Sequence, residues 1–417
     1  MANGRGAQLA RLGDRFSGGD GTISVAARRM LQPILHRWIA RFGRVTREGA
    51  LHLTLPDGST QLLQGSGNGP VASLTLHNWS ALWQARLAGS VGWYRAWQAG
   101  HWESPDLAAL FAFISANGAA MGQLGRAKGL RRWFNRLLHR RQANDVVRAR
   151  ENIAAHYDLG NDFYAAWLDP KMLYSSAIFA DGDDLASAQT RKMDAILARC
   201  ALIKGAKLLE IGCGWGALGE RAIRHHDVQY IGLTLSEAQA AHARSLVEPL
   251  GGEIALCDYR HATGTYDAIA SVEMVEAVGR EYWGDYLGAI SRLLRPGGRA
   301  AIQYIAMDDA MFADYAANTD FIQTYIFPGG CLISTSEFRA KALELGLDWQ
   351  DEVHFGMDYA ETLRIWREAY SKARAAGLLP GGFDDAFDRL WTFYLSYCEG
   401  GFRGGGISVA QVTLVKN

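Results

Sequence analysis

Residues 205–219, Gly-Ala-Lys-Leu-Leu-Glu-Ile-Gly-Cys-Gly-Trp-Gly-Ala-Leu-Gly, set a carboxylate just before a run of glycines. Leu208, Leu209 and Ile211 read as a buried strand around Glu210. Gly212, Gly214 and Gly216 then let the backbone turn sharply and approach a ligand with no Cβ in the way. Residues 217–224 follow as a helix whose N-terminus faces the same place. Such a loop suits a nucleotide-type ligand; the simpler alternative is a tight strand-to-helix turn with no ligand at all. Gly214, Gly216 and Gly219 also meet the G-x-G-x-x-G pattern for dinucleotides, which calls for an acid about 20 residues on, at the end of the next strand. That strand, 229–233, ends instead in Thr234-Leu235-Ser236, and Glu237 falls late, on the following helix.

The elements that must position this loop alternate in type. Strands at 207–211 and 229–233 each precede a helix, the second at 236–248, and short strands follow at 253–257, 267–272 and 299–305. Such alternation implies a mostly parallel sheet covered on both faces, with ligands beyond the carboxyl ends of its strands. One rim therefore collects Glu210–Gly216, Thr234–Gln239, Asp258-Tyr259, Glu273–Glu276 and Gln303. Glu210 before the glycines fits the E/D-x-G-x-G-x-G loop of S-adenosylmethionine (AdoMet) enzymes, in which the acid orders the loop.

With 417 residues the chain exceeds a usual single core, so two domains are expected. A hydrophobic fraction of 49% and a charged fraction of 21% describe a folded protein. The 43 basic and 43 acidic residues cancel, which gives no reason to expect nucleic acid. Cys200, Cys213, Cys257, Cys331 and Cys398 are widely spaced, with no C-x-x-C pair. That suits a reducing compartment and argues against a disulfide framework or a metal site. The N-terminus lacks the apolar stretch of a secretory signal, and no 18-residue apolar run exists, so the expectation is a cytoplasmic protein.

The first 30 residues are rich in Gly and Arg and read as loose. Leu51–Leu55, the turn Pro56-Asp57-Gly58 and Gln61–Leu63 predict a hairpin, and residues 78–120, rich in Trp and Ala, predict helices broken at Ser104-Pro105. Together they make a small α+β domain over 31–125. In 126–150, Leu130, Trp133, Phe134, Leu137 and Leu138 share one helix face, while Arg131, Arg132, Arg136, Arg140 and Arg141 occupy the rest. A basic amphipathic helix of this kind suits an anionic lipid surface; a linker helix with solvated arginines is the plainer alternative.

Further motifs point one way. His156-Tyr157-Asp158-Leu159-Gly160-Asn161-Asp162-Phe163-Tyr164 precedes Tyr174-Ser175-Ser176-Ala177; later come Glu273-Met274-Val275-Glu276-Ala277-Val278-Gly279, Tyr325-Ile326-Phe327-Pro328-Gly329-Gly330 and Tyr394-Leu395-Ser396-Tyr397-Cys398. With the glycine loop, these closely resemble the cyclopropane-fatty-acyl-phospholipid synthase family, which includes the mycolic acid cyclopropane synthases. The likeness is strong over about 150–415 and looser before it.

The resemblance implies a class I AdoMet-dependent methyltransferase fold, Rossmann-like, in a catalytic domain over 151–417. It implies transfer of a one-carbon unit to the cis double bond of unsaturated acyl chains in a phospholipid bilayer, by an enzyme held peripherally at the inner face of the membrane. A homodimer is left open. Cofactor contacts carry over to Tyr174, Ser175, Glu210, Gly212, Gly214, Gly216, Thr234, Leu235, Ser236, Gln239, Asp258 and Tyr259.

Methyl transfer to an alkene leaves a cation on the chain, which aromatic faces and a carboxylate stabilise. Tyr304, Tyr325, Phe327 and Tyr359 are candidates for the first role and Glu276 for the second. In the family the base resembles a bicarbonate ion held by a Cys, a Glu, a His and a Tyr. Here Glu276 and Tyr359 are kept, Ser176 stands for the Cys, Gln303 for the His, and Ala277 replaces a second His found in many members. Glu273 stands where simpler members have Gly. Ser and Gln still donate hydrogen bonds to an anion. Cys398 matches a cysteine of the family marked as reactive, although a Cys beside Tyr394 and Leu395 also suits plain packing. Four readings compete: a cyclopropane synthase, a methyltransferase leaving methyl-branched or methyl-olefinic chains, an inactive lipid-binding homologue, and an NAD-dependent oxidoreductase disfavoured by the missing acid.

Overall fold

A computed structural model of the chain describes residues 25–119 and 159–417. The basic stretch 126–150, the loose N-terminus up to residue 24 and the His156-Tyr157-Asp158 part of the motif lie outside the described residues. The chain divides into two compact units.

Among the described residues, the first unit contains 25–119 together with 310–328 and 382–407. Its sheet has the order β2-β1-β3-β4, from β1 (Glu48–Thr54), β2 (Thr60–Gln64), β3 (Gly67–Leu76) and β4 (Trp102–Glu103). β1 and β2 form the expected hairpin, with Leu53 opposite Gln61, and the Asp57 carboxylate accepts from the Ser59 amide in the turn. Alternate residues Leu51, Leu53, Leu74 and Leu76 are buried, as a half-covered sheet requires. Helices Ser80–Gln98 and Leu107–Ala116 flank β4, and Asp106 caps the second by accepting from the Ala109 amide.

The sequence assigned 310–328 and 382–407 to the catalytic domain, whereas they cluster with this unit. The reason is an aromatic core assembled from all three segments. Phe393 lies with its ring centroid 4.8 Å from Phe321, 5.0 Å from Tyr94 and 5.0 Å from Phe111. On the same helix, Asp385–Arg403, Gly400 faces Phe111 so closely that a Cβ would stand 2.3 Å from the Phe111 Cβ.

Among the described residues, the second unit contains 159–309, 329–381 and 408–417. Its sheet runs β11-β12-β9-β8-β5-β6-β7, with β10 pairing beside β9. The strands are β5 (Lys207–Ile211), β6 (Gln229–Thr234), β7 (Glu253–Leu256), β8 (Tyr266–Val272), β9 (Leu294–Met307), β10 (Ile333–Ser334), β11 (Leu347–His354) and β12 (Ile407–Lys416). β7-β6-β5-β8-β9 is parallel throughout, as the alternation predicts, while β11 and β12 add an antiparallel edge pair. Strand order reverses at β5, so the crevice between β5 and β8 opens at their carboxyl ends, the expected place for a ligand. Leu208, Ala268 and Ala301 of three neighbouring strands are fully buried and pack with Met193, Ile196 and Leu197 of helix Leu185–Arg199.

We expect Phe393→Ala to destabilise the first unit by about 3–5 kcal/mol, the range for deleting a buried aromatic ring. Urea denaturation followed by tryptophan fluorescence checks this; a loss below about 1 kcal/mol would show that the aromatic core does not hold the three segments together.

Candidate active site

The glycine loop occupies the predicted place. Gly212 has φ +82° and Gly216 φ +92°, a region that L side chains rarely enter. A Cβ on Gly212 would stand 2.8 Å from the Met274 Cγ. Gly219, the last glycine of the dinucleotide pattern, serves packing instead, since a Cβ there would meet the Tyr230 ring at 2.3 Å. Glu210 is buried under the loop and accepts from the Tyr230 hydroxyl at 2.5 Å. Burial pushes its pKa up to about 7, against the pull of Tyr230 and Lys192.

Around this loop a cleft is lined by Tyr174, Ser175, Glu210, Gly212, Gly214 and Gln239, among others. Gln239 is buried, not solvated, and its Oε1 accepts from the Thr234 hydroxyl at 3.0 Å. Ser236 caps helix Glu237–Val247 by accepting from the Gln239 amide, which fixes Thr234-Leu235-Ser236 at the end of β6. No acid stands at that strand end. Asp258 and Tyr259 follow β7; the Asp258 carboxylate accepts from the Arg260 guanidinium at 2.7 and 2.9 Å. Burial opposes its ionisation, but Arg260 outweighs it and the pKa falls below the usual value.

Lys192, on helix Leu185–Arg199, gave no signal in the sequence. It is buried beside the cleft, with Nζ donating to the Ser175 hydroxyl at 2.5 Å. Burial lowers its pKa to about 8, against the charges of Glu273, Asp169 and Glu210. Buried acids thus outnumber the lysine at this end of the sheet. A cationic ligand in the cleft restores the balance, and a sulfonium is such a cation.

At the end of β8 stands a second cluster. Glu273 has φ +49°, the left-handed region, which costs a non-glycine residue about 1–2 kcal/mol. Three donors hold its carboxylate. The Ser176 amide donates to Oε1 at 2.9 Å, Gln303 Nε2 donates to Oε1 at 2.7 Å, and the Tyr359 hydroxyl donates to Oε2 at 2.6 Å. The orientation of Gln303 is set from outside. Arg199, which can only donate, gives a hydrogen bond to Gln411 Oε1 at 3.2 Å; Gln411 Nε2 then donates to Gln303 Oε1 at 3.0 Å. The Gln303 amino group is left facing Glu273. Burial raises the Glu273 pKa, while Tyr359, Gln303, the Ser176 amide and Lys192 pull it back.

Ser176 contributes its amide, not its hydroxyl, which turns to its neighbour's carbonyl, Ala177 O, at 2.9 Å. Glu276 lies next to Glu273. Its Oε1 accepts from the Ile305 amide, and its Oε2 is shut off with no partner among the described residues. Burial first, and the Glu273 charge second, push its pKa up to about 8, so it is mostly the neutral acid at pH 7. The structure therefore brings Ser176, Gln303 and Tyr359 together as expected, but around Glu273.

The remaining candidates lie elsewhere. The Tyr304 ring is core, 5.9 Å from Trp349, with its hydroxyl donating to Glu352 at 3.0 Å. Tyr325 and Phe327 belong to the first unit, where Arg95 Nε donates to the Tyr325 hydroxyl and Phe327 packs on Tyr394. Cys398 is in that unit too, and burial, with Asp320 adding to it, raises its thiol pKa far above the usual value. That makes it a poor thiolate.

Comparison with known proteins agrees with this geometry. A profile of the mycolic acid cyclopropane synthetase family matches residues 144–412. Tuberculostearic acid methyltransferase of Mycobacterium tuberculosis is 38% identical over 396 residues, covering 89% of this chain and 90% of that protein. Cyclopropane-fatty-acyl-phospholipid synthase of Escherichia coli is 37% identical over 258 residues, 62% of this chain and 65% of that one. Among solved structures, a mycolic acid cyclopropane synthase complexed with SAH and CTAB matches with TM-score 0.58 and 32% identity, covering 64% of this chain and 98% of that one.

Fold and site define a class I AdoMet-dependent methyltransferase, with the Rossmann-like sheet and the cleft described above. The chain belongs to the mycolic acid cyclopropane synthetase family. Its cofactor is AdoMet, and its reaction is cyclopropane or methyl transfer to fatty acyl chains.

Two outcomes follow. Gly212→Ala strains the loop and drives a Cβ toward Met274, so AdoMet affinity measured by calorimetry should fall at least about tenfold, a loss of about 1.4 kcal/mol; unchanged affinity would remove this glycine from the cradle. Glu276 has a folded pKa above its unfolded value, so its contribution is full below pH 4.5 and is lost as pH rises toward about 8. Glu276→Gln should therefore gain thermal stability relative to the native chain across that window. Parallel melting profiles would contradict the buried, raised acid.

Proposed function

We propose that the chain carries a one-carbon unit to the cis double bond of unsaturated acyl chains in membrane phospholipids, with a cyclopropane as product. The observation that carries this reading is the Glu273 carboxylate, held by three donors at the end of β8, since ring closure needs a proton acceptor next to the methylated carbon. When bound, AdoMet supplies an electrophilic methyl group on a sulfonium. Gly212, Gly214 and Gly216 hold it at the end of β5, and Tyr174 and Gln239 border the same cleft. Holding the methyl in line against an alkene, a poor nucleophile, is positioning catalysis. Glu276, neutral at pH 7, makes the pocket no more negative, while the Glu273 carboxylate faces the cation left on the chain.

A second reading, methyl-branched or methyl-olefinic products, is favoured by one observation. The relative that matches across 89% of the chain is a tuberculostearic acid methyltransferase. Expression in a host rich in monounsaturated phospholipid, followed by gas chromatography–mass spectrometry of the fatty acids, decides between them. A ring resists mild hydrogenation, a methylene branch is reduced, and a saturated methyl branch is set apart from the ring by the mass of two further hydrogens. New acyl products of neither kind would overturn the function.

For the membrane, the basic segment 126–150 supports recruitment to anionic lipid at the inner face of the membrane, with each arginine near the surface contributing about 1 kcal/mol, less at high salt. No helix among the described residues is long and apolar enough to cross a bilayer. Replacing Arg131, Arg132, Arg136, Arg140 and Arg141 with Gln should abolish co-sedimentation with anionic vesicles. Equal binding by this variant would make the segment a linker.

A further inference from the structure

Bicarbonate is the proton acceptor that the family resemblance implies, and the residues present do not fit it. The donors that would hold such an anion are the amide and side-chain groups of Ser176, Gln303 and Tyr359. All three converge on Glu273, at 2.9, 2.7 and 2.6 Å. Their target is a flat three-atom carboxylate, the same shape and charge as the oxygen edge of a bicarbonate. Two donors meet one oxygen and the third meets the other. The Arg199–Gln411–Gln303 chain leaves Gln303 no acceptor atom on that side, so the pocket is built for an anion, and the chain itself provides it.

We propose that the Glu273 carboxylate is a tethered replacement for bicarbonate and is the catalytic base of this enzyme. The assignment rests on the acyl-transfer reading given above. Once methyl transfer has left a cation on the acyl chain, a Glu273 oxygen removes one proton from the transferred methyl. The electron pair of that C–H bond becomes the second carbon–carbon bond of the ring. The proton stays on Glu273 until solvent takes it after product leaves. No oxidant, reductant or free anion is required. Loss of the proton from the same methyl after a hydride shift gives a methylene branch instead, so the base serves either product.

Three details single out Glu273 over its neighbour. Glu276 accepts one backbone hydrogen bond and has a buried oxygen without a partner, a setting for a neutral acid. Glu273 has a full set of donors, a setting for an anion. Glu273 also follows directly on Val272, the last residue of β8, which lines the cofactor cleft, whereas Glu276 lies three residues further along the chain. The left-handed backbone at this position is one that Gly enters freely, which makes Glu273→Gly a variant that removes the carboxylate without straining the chain.

The test uses the full-length enzyme with monounsaturated phospholipid vesicles in CO2-free buffer, with and without added bicarbonate. Native turnover should be unchanged by bicarbonate. Glu273→Gly should lose at least about 100-fold and regain activity saturably as bicarbonate is added. Glu273→Gln, which fills the space without a charge, should be equally slow and show no rescue. Carbon-13 NMR of labelled bicarbonate gives a readout free of turnover: line broadening with Glu273→Gly and none with the native chain. Stimulation of the native enzyme by bicarbonate, or full activity of Glu273→Gly without it, would overturn the proposal. If the native chain consumes no AdoMet with any acyl lipid, the function fails instead, and the NMR result still decides whether Glu273 fills the anion site.

Discussion

A single carboxylate, bound by three donors from three distant stretches of chain, sets the geometry of the catalytic end of this enzyme. Glu273 ties Ser176 before the sheet, Gln303 on β9 and Tyr359 on helix Gly356–Ala375 to the end of β8. Each bond to a charged acceptor in a setting of low dielectric is stronger than its equivalent in water. The left-handed backbone of Glu273 is the strain that this network holds in place, and its own amide adds a bond to the Gln303 carbonyl at 2.8 Å. Strand β9 and the loop after β8 are thereby locked together on both the main chain and the side chains.

Charge balance explains why the site suits a sulfonium. Glu210, Asp169, Glu273 and Glu276 crowd the carboxyl ends of β5 and β8, and burial raises all four pKa values. Lys192 is the buried cation among them and is itself pushed down to about 8. The cleft thus carries more acid than base before any ligand enters. Arrival of a positive cofactor favours the ionised carboxylates, so cofactor binding and the readiness of Glu273 as a base are coupled through the same field.

Much of this was legible in the sequence because it is local. The glycine loop, the strands from β5 to β9 and the hairpin of β1 and β2 are written in short patterns of glycine, apolar runs and turn residues. The motifs also named Ser176, Gln303 and Tyr359. What they could not show is that a fourth residue fills the space between them, because Glu273 lies 97, 30 and 86 residues from its donors. The swap of Gly for Glu in the family pattern was the available signal. Nor could sequence show that the Arg199–Gln411 pair orients Gln303, or that Lys192 on an amphipathic helix would point inward. That the segments 310–328 and 382–407 cluster with the first unit is likewise not local, because packing on Tyr94 and Phe111 decides where Phe321 and Phe393 lie.

The central claim is that the anion in this pocket belongs to the protein. A high-resolution crystal structure with S-adenosylhomocysteine, grown in bicarbonate-containing buffer, tests it most directly. The account predicts the Glu273 carboxylate within hydrogen-bond distance of the Ser176 amide, the Gln303 side chain and the Tyr359 hydroxyl, with no separate density between them. A trigonal anion held by those three donors, with Glu273 turned away, would contradict it.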